Sequence, residues 1–273
     1  MLSKQSNKFF TKKNYLIYKK YLKSRNLRSF IKLICLGIIP RPHYALGALF
    51  AAHQAKYFNH KSFTLIEFGC WNNEGLIDLD HWCNEIKILL GINYKIYGFD
   101  SGKGLPSSKN KFDVKYKWSN SDYKSSNSYN LKKFKNIKLI LGDVKKTLPM
   151  FLKTSNENSP IGFISFDMDY YSSTTNALKI LKSNSKNFIA RPILYFDDFV
   201  LTSNFEGEYL AINDFNKLNR AKISPIGELA EQLSIKWKKW IFLAKRFRVF
   251  TNFKHKFYSE RYENIIYKEI INL

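Results

Sequence analysis

The chain has 273 residues, 45% of them hydrophobic, which excludes a largely disordered protein and leaves room for one substantial core. Lysine and arginine number 45 against 22 acidic residues, a formal charge of +23, so the surface favours anionic partners: phosphates, anionic lipid or nucleic acid. Cys35, Cys70 and Cys83 have no paired metal-ligand spacing, which argues against a disulfide framework and for reduced thiols in a cytoplasmic protein.

Residues 1–40 read as a basic helical arm, closed by Pro40-Arg-Pro42. No Asp or Glu precedes Glu67, whereas Lys4, Lys8, Lys12, Lys13, Lys19 and Lys20 crowd the start. Abundant Lys, Asn and Ile are also what AT-rich codons produce, with no functional demand. Tyr15, Tyr18, Tyr21 and Leu22 recur among lysines at helical spacing. That pattern suits a helix lying on the anionic inner face of a membrane, and equally one packed on its own domain or on a second copy in a homo-oligomer. Leu33–Ile39 is apolar but too short to span a bilayer, and no secretory signal is evident.

A domain over 41–258 follows, with 259–273 as a C-terminal tail. Tyr44 to Tyr57 reads as an alanine-rich helix. Strands are then expected near 63–69, 94–100, 137–142, 161–167 and 192–197, and helices near 73–90, 144–154, 172–183 and 207–219. Such alternation implies an α/β fold with a doubly wound, Rossmann-like parallel sheet covered on both faces. Lys222–Ile226 and Trp240–Ala244 are read as the last strands, completing seven and ending antiparallel. The polar stretch from Ser101 to Asn130 has no period and is long enough to be a lid or binding segment. A second acid-free stretch runs from Gln232 to Ser259.

Two apolar runs end abruptly in carboxylates: Phe163-Ile-Ser-Phe-Asp167-Met-Asp169 and Ile193-Leu-Tyr-Phe-Asp197-Asp198. Ligands of open α/β sheets bind beyond the strands' carboxyl ends. Side by side, these strands bring Asp167, Asp197 and Asp198 together, and carboxylates that close require a proton or a cation between them. A hard divalent ion such as Mg2+ suits oxygen ligands of this kind. Asp169 is assigned either to support that ion from behind its ligands or to cap the helix opening at Ser172. Upstream, the strand ending in Glu67-Phe-Gly69 leads through a turn to a helix whose free N–H groups can face a ligand. Asp100, at the end of the next strand, stands where dinucleotide folds place the acid that binds ribose hydroxyls.

Glu67-x-Gly69, Gly98-Phe-Asp100-Ser-Gly-Lys-Gly104-Leu-Pro106, Gly142-Asp143, Asp167-x-Asp169-x-Tyr-x-Ser-Thr174 and Asp197-Asp198 resemble, in that order, a class I S-adenosylmethionine (SAM)-dependent methyltransferase. The closer likeness, from about Pro42 to Tyr258, is to the macrocin O-methyltransferase type, which methylates sugar hydroxyls with Mg2+. The resemblance implies SAM held by Glu67, Gly69, Asn73 and Gly75 at the methionine end, by Asp100 and Ser101 at the ribose, and by Gly142 and Asp143 at the adenine. It implies catalysis at a metal on Asp167, Asp197 and Asp198, and a general base at His255. Asn73 departs from the pattern, standing where such turns carry glycine, although asparagine tolerates left-handed backbone.

The implied acceptor is a small hydroxylated molecule, a saccharide or glycan intermediate. Two alternatives stay open. One is an RNA methyltransferase, suggested by basic surface interleaved with aromatics, against which stand a dense acidic site and the missing Asn-Pro-Pro-Tyr-type loop. The other is a non-catalytic scaffold that retains the cofactor fold.

Overall fold

The computed structural model describes residues 11–124, 130–154, 158–201 and 203–273; Lys4 and Lys8 of the basic arm lie outside them. Two helices come first, α1 (Lys12–Ser24) and α2 (Leu27–Cys35), then the long α3 (Pro42–Tyr57). The alternating region comprises β1 (Ser62–Phe68), α4 (Glu74–Leu90), β2 (Asn93–Asp100), β3 (Ile137–Leu141), α5 (Val144–Thr154), β4 (Ile161–Phe166), α6 (Tyr171–Ala177) and β5 (Phe188–Phe196). Then come α7 (Gly207–Leu218), β6 (Lys222–Pro225), α8 (Gly227–Lys236), α9 (Trp240–Leu243), β7 (Phe247–Thr251) and α10 (Ile265–Ile271).

The seven strands form one sheet in the order β3-β2-β1-β4-β5-β7-β6. Strands β1 to β5 pair in parallel, and β7 runs antiparallel to both β5 and β6. This is the Rossmann-like, doubly wound, mostly parallel sheet with an antiparallel last strand that the sequence implies. One assignment is corrected: Trp240–Ala244 is not a strand. Trp240 is fully buried and opens the short helix α9, and the antiparallel strand starts at Phe247.

Strand alternation divides the core into two layers. On one face Phe63 and Leu65 of β1, Phe163 of β4 and Ile193 and Tyr195 of β5 pack with α1 to α4 and α8 to α10. On the other, Ile66 and Phe68, Ile164 and Phe166, and Leu194 and Phe196 pack with α5, α6 and α7. Helix α3 lies close on the sheet because Gly47 faces the Phe163 ring, where a Cβ would overlap it.

Two of the three tyrosines of α1 pack on the protein's own domain, and Tyr15 is exposed. Tyr18 and Tyr21 are buried, the Tyr18 hydroxyl lies 3.0 Å from His81 Nε2, and Tyr21 donates to Glu85 Oε2 at 3.1 Å. Arg25 adds an ion pair to Glu85, so α1 docks on α4 through polar contacts at the rim of an apolar seam. Ile266 and Ile270 of α10 are buried in the same layer.

Truncating Phe163 leaves a cavity under α3, and Phe163→Ala is expected to cost about 3–5 kcal/mol. Urea unfolding checks this; a loss below about 1 kcal/mol would contradict the close seating of α3 on β4.

Candidate functional site

The carboxyl ends of β1 to β5 are tied by a row of backbone hydrogen bonds that continues the ladders one step past the strands. Gly142 N–H donates to Asp100, Gly69 to Phe99, Asp167 to Phe68 and Asp197 to Phe166, all at 2.8–2.9 Å. The order of the strands reverses between β1 and β4, the topological switch point at which such sheets bind ligands. A cleft of about 920 Å³ opens there, with Gly69, Asp100, Gly142, Asp143, Asp167 and Asp198 among its lining residues.

On the β1–β2 side the turn after β1 is built from left-handed residues: Gly69 (φ +84°), Trp71 (φ +42°) and Asn73 (φ +65°). A Cβ on Gly69 would overlap the Asp167 carbonyl oxygen, so this position requires glycine. Asn73 adopts the left-handed conformation itself, directly before α4, and its buried Oδ1 has no hydrogen-bond partner among the described residues. The Asp100 carboxylate organises this turn. It accepts from the N–H groups of Cys70 (2.9 Å), Trp71 (3.0 Å) and Gly102 (2.7 Å), leaving part of a carboxylate's capacity of roughly four acceptor sites. Ser101 turns its hydroxyl into the following loop, donating to the Gly104 carbonyl and accepting from Lys103. Gly142 (φ +133°) leads into Asp143, whose carboxylate accepts from Lys145 N–H in the first turn of α5.

Glu67 and Gly75 lie beneath the turn. The Glu67 side chain is buried, accepts from the Tyr44 hydroxyl of α3, and abuts Gly75, where a Cβ would strike it. Its other oxygen, Oε2, has no hydrogen-bond partner among the described residues. Burial pushes the Glu67 pKa up to about 7, against the Tyr44 hydrogen bond and the nearby Arg41 charge.

Across the switch point lie the acids that end β4 and β5. The carboxylates whose oxygens come within 4.8 Å of one another are those of Asp167, Asp169 and Asp198. Asp197, assigned from sequence to the metal set, instead accepts from Arg246 Nη1 at 2.6 Å and from the Tyr195 hydroxyl at 3.2 Å. Strand alternation accounts for the exchange: Asp197 follows Tyr195 toward the α3 layer, and Asp198 follows Phe196 toward α7. Asp169 takes a left-handed conformation (φ +57°), and its burial places it in the cluster rather than at a helix cap.

Glu208 of α7 adds a carboxyl that sequence reasoning missed. It is fully buried and accepts from Asp198 N–H at 3.0 Å through Oε2; among the described residues neither its Oε1 nor Asp198 Oδ2 has a hydrogen-bond partner. Its only sequence signal is an acid directly after a glycine at a helix start.

These groups depress one another's ionisation. Asp167 is exposed to the cleft; partial loss of hydration between its walls and then the charges of Asp197, Asp198 and Asp169 raise its pKa above the usual range. Asp169 is pushed up to about 8 by burial and by Asp198, and Asp198 to about 6 by burial and by Asp197. Burial and the same neighbours raise Glu208 strongly.

The long segment after β2 walls the cleft. Asp113 is buried in it, accepting from Ser108 Oγ and from both the N–H and the hydroxyl of Ser172, each of the latter at 2.8 Å. Val114, Trp118 and Tyr170 form a small separate apolar cluster, and Trp71 and Tyr123 meet edge to face at 6.0 Å beside the opening. Asp113 was also missed, because nothing in the polar run marks one acid as its anchor.

His255 does not belong to this site, which corrects its assignment as general base. Its Nε2 lies 3.0 Å from the carbonyl of Phe188, the first residue of β5, and the ring is buried. Nine residues of strand, roughly 25–30 Å at about 3.3 Å each, separate that end from the cleft. Among the described residues no histidine lines the cleft.

No family model matches the sequence, and a search of curated proteins found no match. Solved structures do resemble the fold. The O-methyltransferase NovP is 14% identical over 76% of this chain and 78% of its own, with a TM-score of 0.50. The calicheamicin methyltransferase CalS11 is 18% identical over 83% and 90%, with a TM-score of 0.48. At that identity the likeness to NovP shows a shared fold, in agreement with the strand order.

The raised pKa of Glu67 fixes a sign. Between its ordinary value near 4.5 and about 7 the folded state holds a proton that the unfolded chain has released, so stability falls as pH rises through that window. Glu67→Gln removes the contribution, about 3 kcal/mol across the window, and flattens the fall. Denaturant midpoints at pH 4.5, 5.5 and 7.5 measure it; parallel curves for the two proteins would contradict a buried, protonated Glu67.

Proposed function

We propose that the chain is a SAM-dependent O-methyltransferase acting on a small hydroxylated acceptor, a saccharide or glycan intermediate, with Mg2+ at the acidic cluster. The observation that carries this reading is one cleft at the switch point, flanked by a left-handed glycine turn pinned on Asp100 and by the clustered carboxyls of Asp167, Asp169 and Asp198. The fold it shares with NovP, an O-methyltransferase, agrees with it.

The residues fit the two groups. The cleft, about 920 Å³, is of cofactor size. Asp100 keeps acceptor capacity for ribose hydroxyls, Asp143 and Gly142 stand at the adenine end, and Gly69 allows backbone close to the methionine moiety. The Cβ-free surface at Gly75 gives Glu67 its room, so Glu67 and Gly75 support the turn from below. For the ion, the fit rests on Asp198 Oδ2, a buried acceptor with no partner among the described residues. Asp167, Asp169 and Asp198 would hold it, with Glu208 fixing the Asp198 backbone.

When bound, SAM would supply a methyl group on a positively charged sulfur; the acceptor oxygen would take it and give its proton to water, with the neutral thioether S-adenosylhomocysteine (SAH) as the leaving group. A divalent ion would supply Lewis acidity to that hydroxyl. The chain's own part is alignment and exclusion of water. The Asp100-bound turn fixes one wall, the Asp113-anchored segment another, and Arg246 holds the Asp197 carboxylate at the cleft's edge.

Calorimetry with SAH tests the cofactor site. Asp100→Ala is expected to weaken SAH binding by on the order of tenfold or more, through lost hydrogen bonds to a charged group; unchanged affinity would sink the assignment. Asp198→Asn is expected to keep SAH binding and to abolish Mg2+-dependent methyl transfer to a hydroxylated acceptor. Full turnover in that variant would remove the metal from the account.

A further inference from the structure

Two acid-free stretches that stand far apart in the sequence form one surface. The Trp240 indole donates to the Cys35 carbonyl at 2.9 Å, across 205 positions, and the Lys239 ammonium donates to the Gly37 carbonyl. Gly37 has a φ of +60°, and a Cβ there would overlap the Lys239 side chain, so the turn after α2 fits directly against the start of α9.

Large apolar side chains remain exposed on this junction. Leu36 in the turn is 40% exposed, and Ile241 and Phe242 on α9 are 38% and 66% exposed; Ile235, at the end of α8, is 72% exposed. Exposed lysines surround them: Lys32 one turn before Leu36, Lys238 before α9 and Lys245 after it. No Asp or Glu lies between Gln232 and Ser259 or before Glu67. The tyrosine stripe of α1 is divided: Tyr18 and Tyr21 are buried against the domain, whereas Tyr15, Leu16 and Leu22 are exposed.

Exposed apolar side chains with lysines next to them in the chain, on two stretches that lack acids of their own, suit the interfacial layer of an anionic bilayer: the hydrophobes enter the headgroup region and the cations pair with phosphates. Among the described residues no helix is long and apolar enough to cross a membrane, so the contact is with its surface. The face also adjoins the cleft. Arg246 stands four positions after Phe242 and holds Asp197, which lines the opening.

We propose that the face formed by Leu36, Ile241, Phe242, Lys238 and Lys245 docks the protein on an anionic lipid surface, with the cleft at its edge. Docking stands on this surface alone. That it would present a lipid-borne hydroxyl acceptor to the cleft rests on the methyltransferase reading.

Co-sedimentation of the full chain with vesicles tests it, using pure phosphatidylcholine and phosphatidylcholine with about one third phosphatidylglycerol. Binding to the anionic vesicles is expected, with little to the neutral ones, and it should weaken as salt rises. Lys238→Glu with Lys245→Glu, and separately Phe242→Ser, are each expected to reduce partitioning about tenfold, with Tm unchanged because all three side chains are exposed. Equal binding to both vesicle types, no binding to either, or full binding by Phe242→Ser would overturn the proposal. RNA binding that is insensitive to Phe242→Ser, with no vesicle binding, would overturn it in favour of a polyanion. SAH affinity measured on the same samples separates a failed docking surface from a failed cofactor site.

Discussion

Five carboxyl groups, Asp167, Asp169, Asp197, Asp198 and Glu208, crowd the carboxyl ends of two adjacent strands in a chain that is otherwise strongly basic. Folding removes water from them and gives them few cations. Arg246 answers Asp197, and among the others burial and the neighbouring carboxylates push Asp169 up to about 8 and Asp198 to about 6. Strongly perturbed carboxyls gather at functional sites. Among the described residues Asp198 Oδ2 and Glu208 Oε1 have no hydrogen-bond partner, and the proposed ion would be held there.

The backbone makes this crowding unavoidable. The hydrogen bonds that carry the ladders past the strand ends fix Gly69, Asp100, Gly142, Asp167 and Asp197 relative to one another before any side chain is placed. Side chains then divide by strand parity. The same division that sends Phe163 to α3 and Phe166 to α6 and α7 sends Asp197 to Arg246 and Asp198 to Glu208. The cleft is therefore a consequence of the sheet, and the segment anchored through Asp113 to Ser172 only completes its wall.

Much of this was legible in the sequence. Apolar runs ending in acids marked β4 and β5, and helix periods between them set the doubly wound order. The glycine turn and Asp100 were recognisable because each needs a residue type that little else explains. What could not be read were directions set by tertiary structure. Neighbouring acids Asp197 and Asp198 look equivalent until parity is known at the strand's last residue. Glu208 and Asp113 act through contacts ten and fifty-nine positions away, with no local pattern to mark them. His255 sits among residues that resemble a functional segment, yet it follows β7, the antiparallel strand, which delivers the chain to the amino edge of β5. Trp240 likewise read as strand until its burial against Cys35 was seen to require a helix.

If the cluster of Asp167, Asp169 and Asp198 is the proposed cation site, a divalent ion that binds there displaces the protons these carboxyls share. Calorimetric titration with Mg2+ at pH 7, in two buffers of different ionisation enthalpy, measures this directly. With Asp169 pushed up to about 8 and Asp167 also raised well above the usual carboxylate range, binding at pH 7 should release protons, so the observed heat should change with the buffer. Saturable binding with a heat independent of the buffer, or no binding at all, would contradict it.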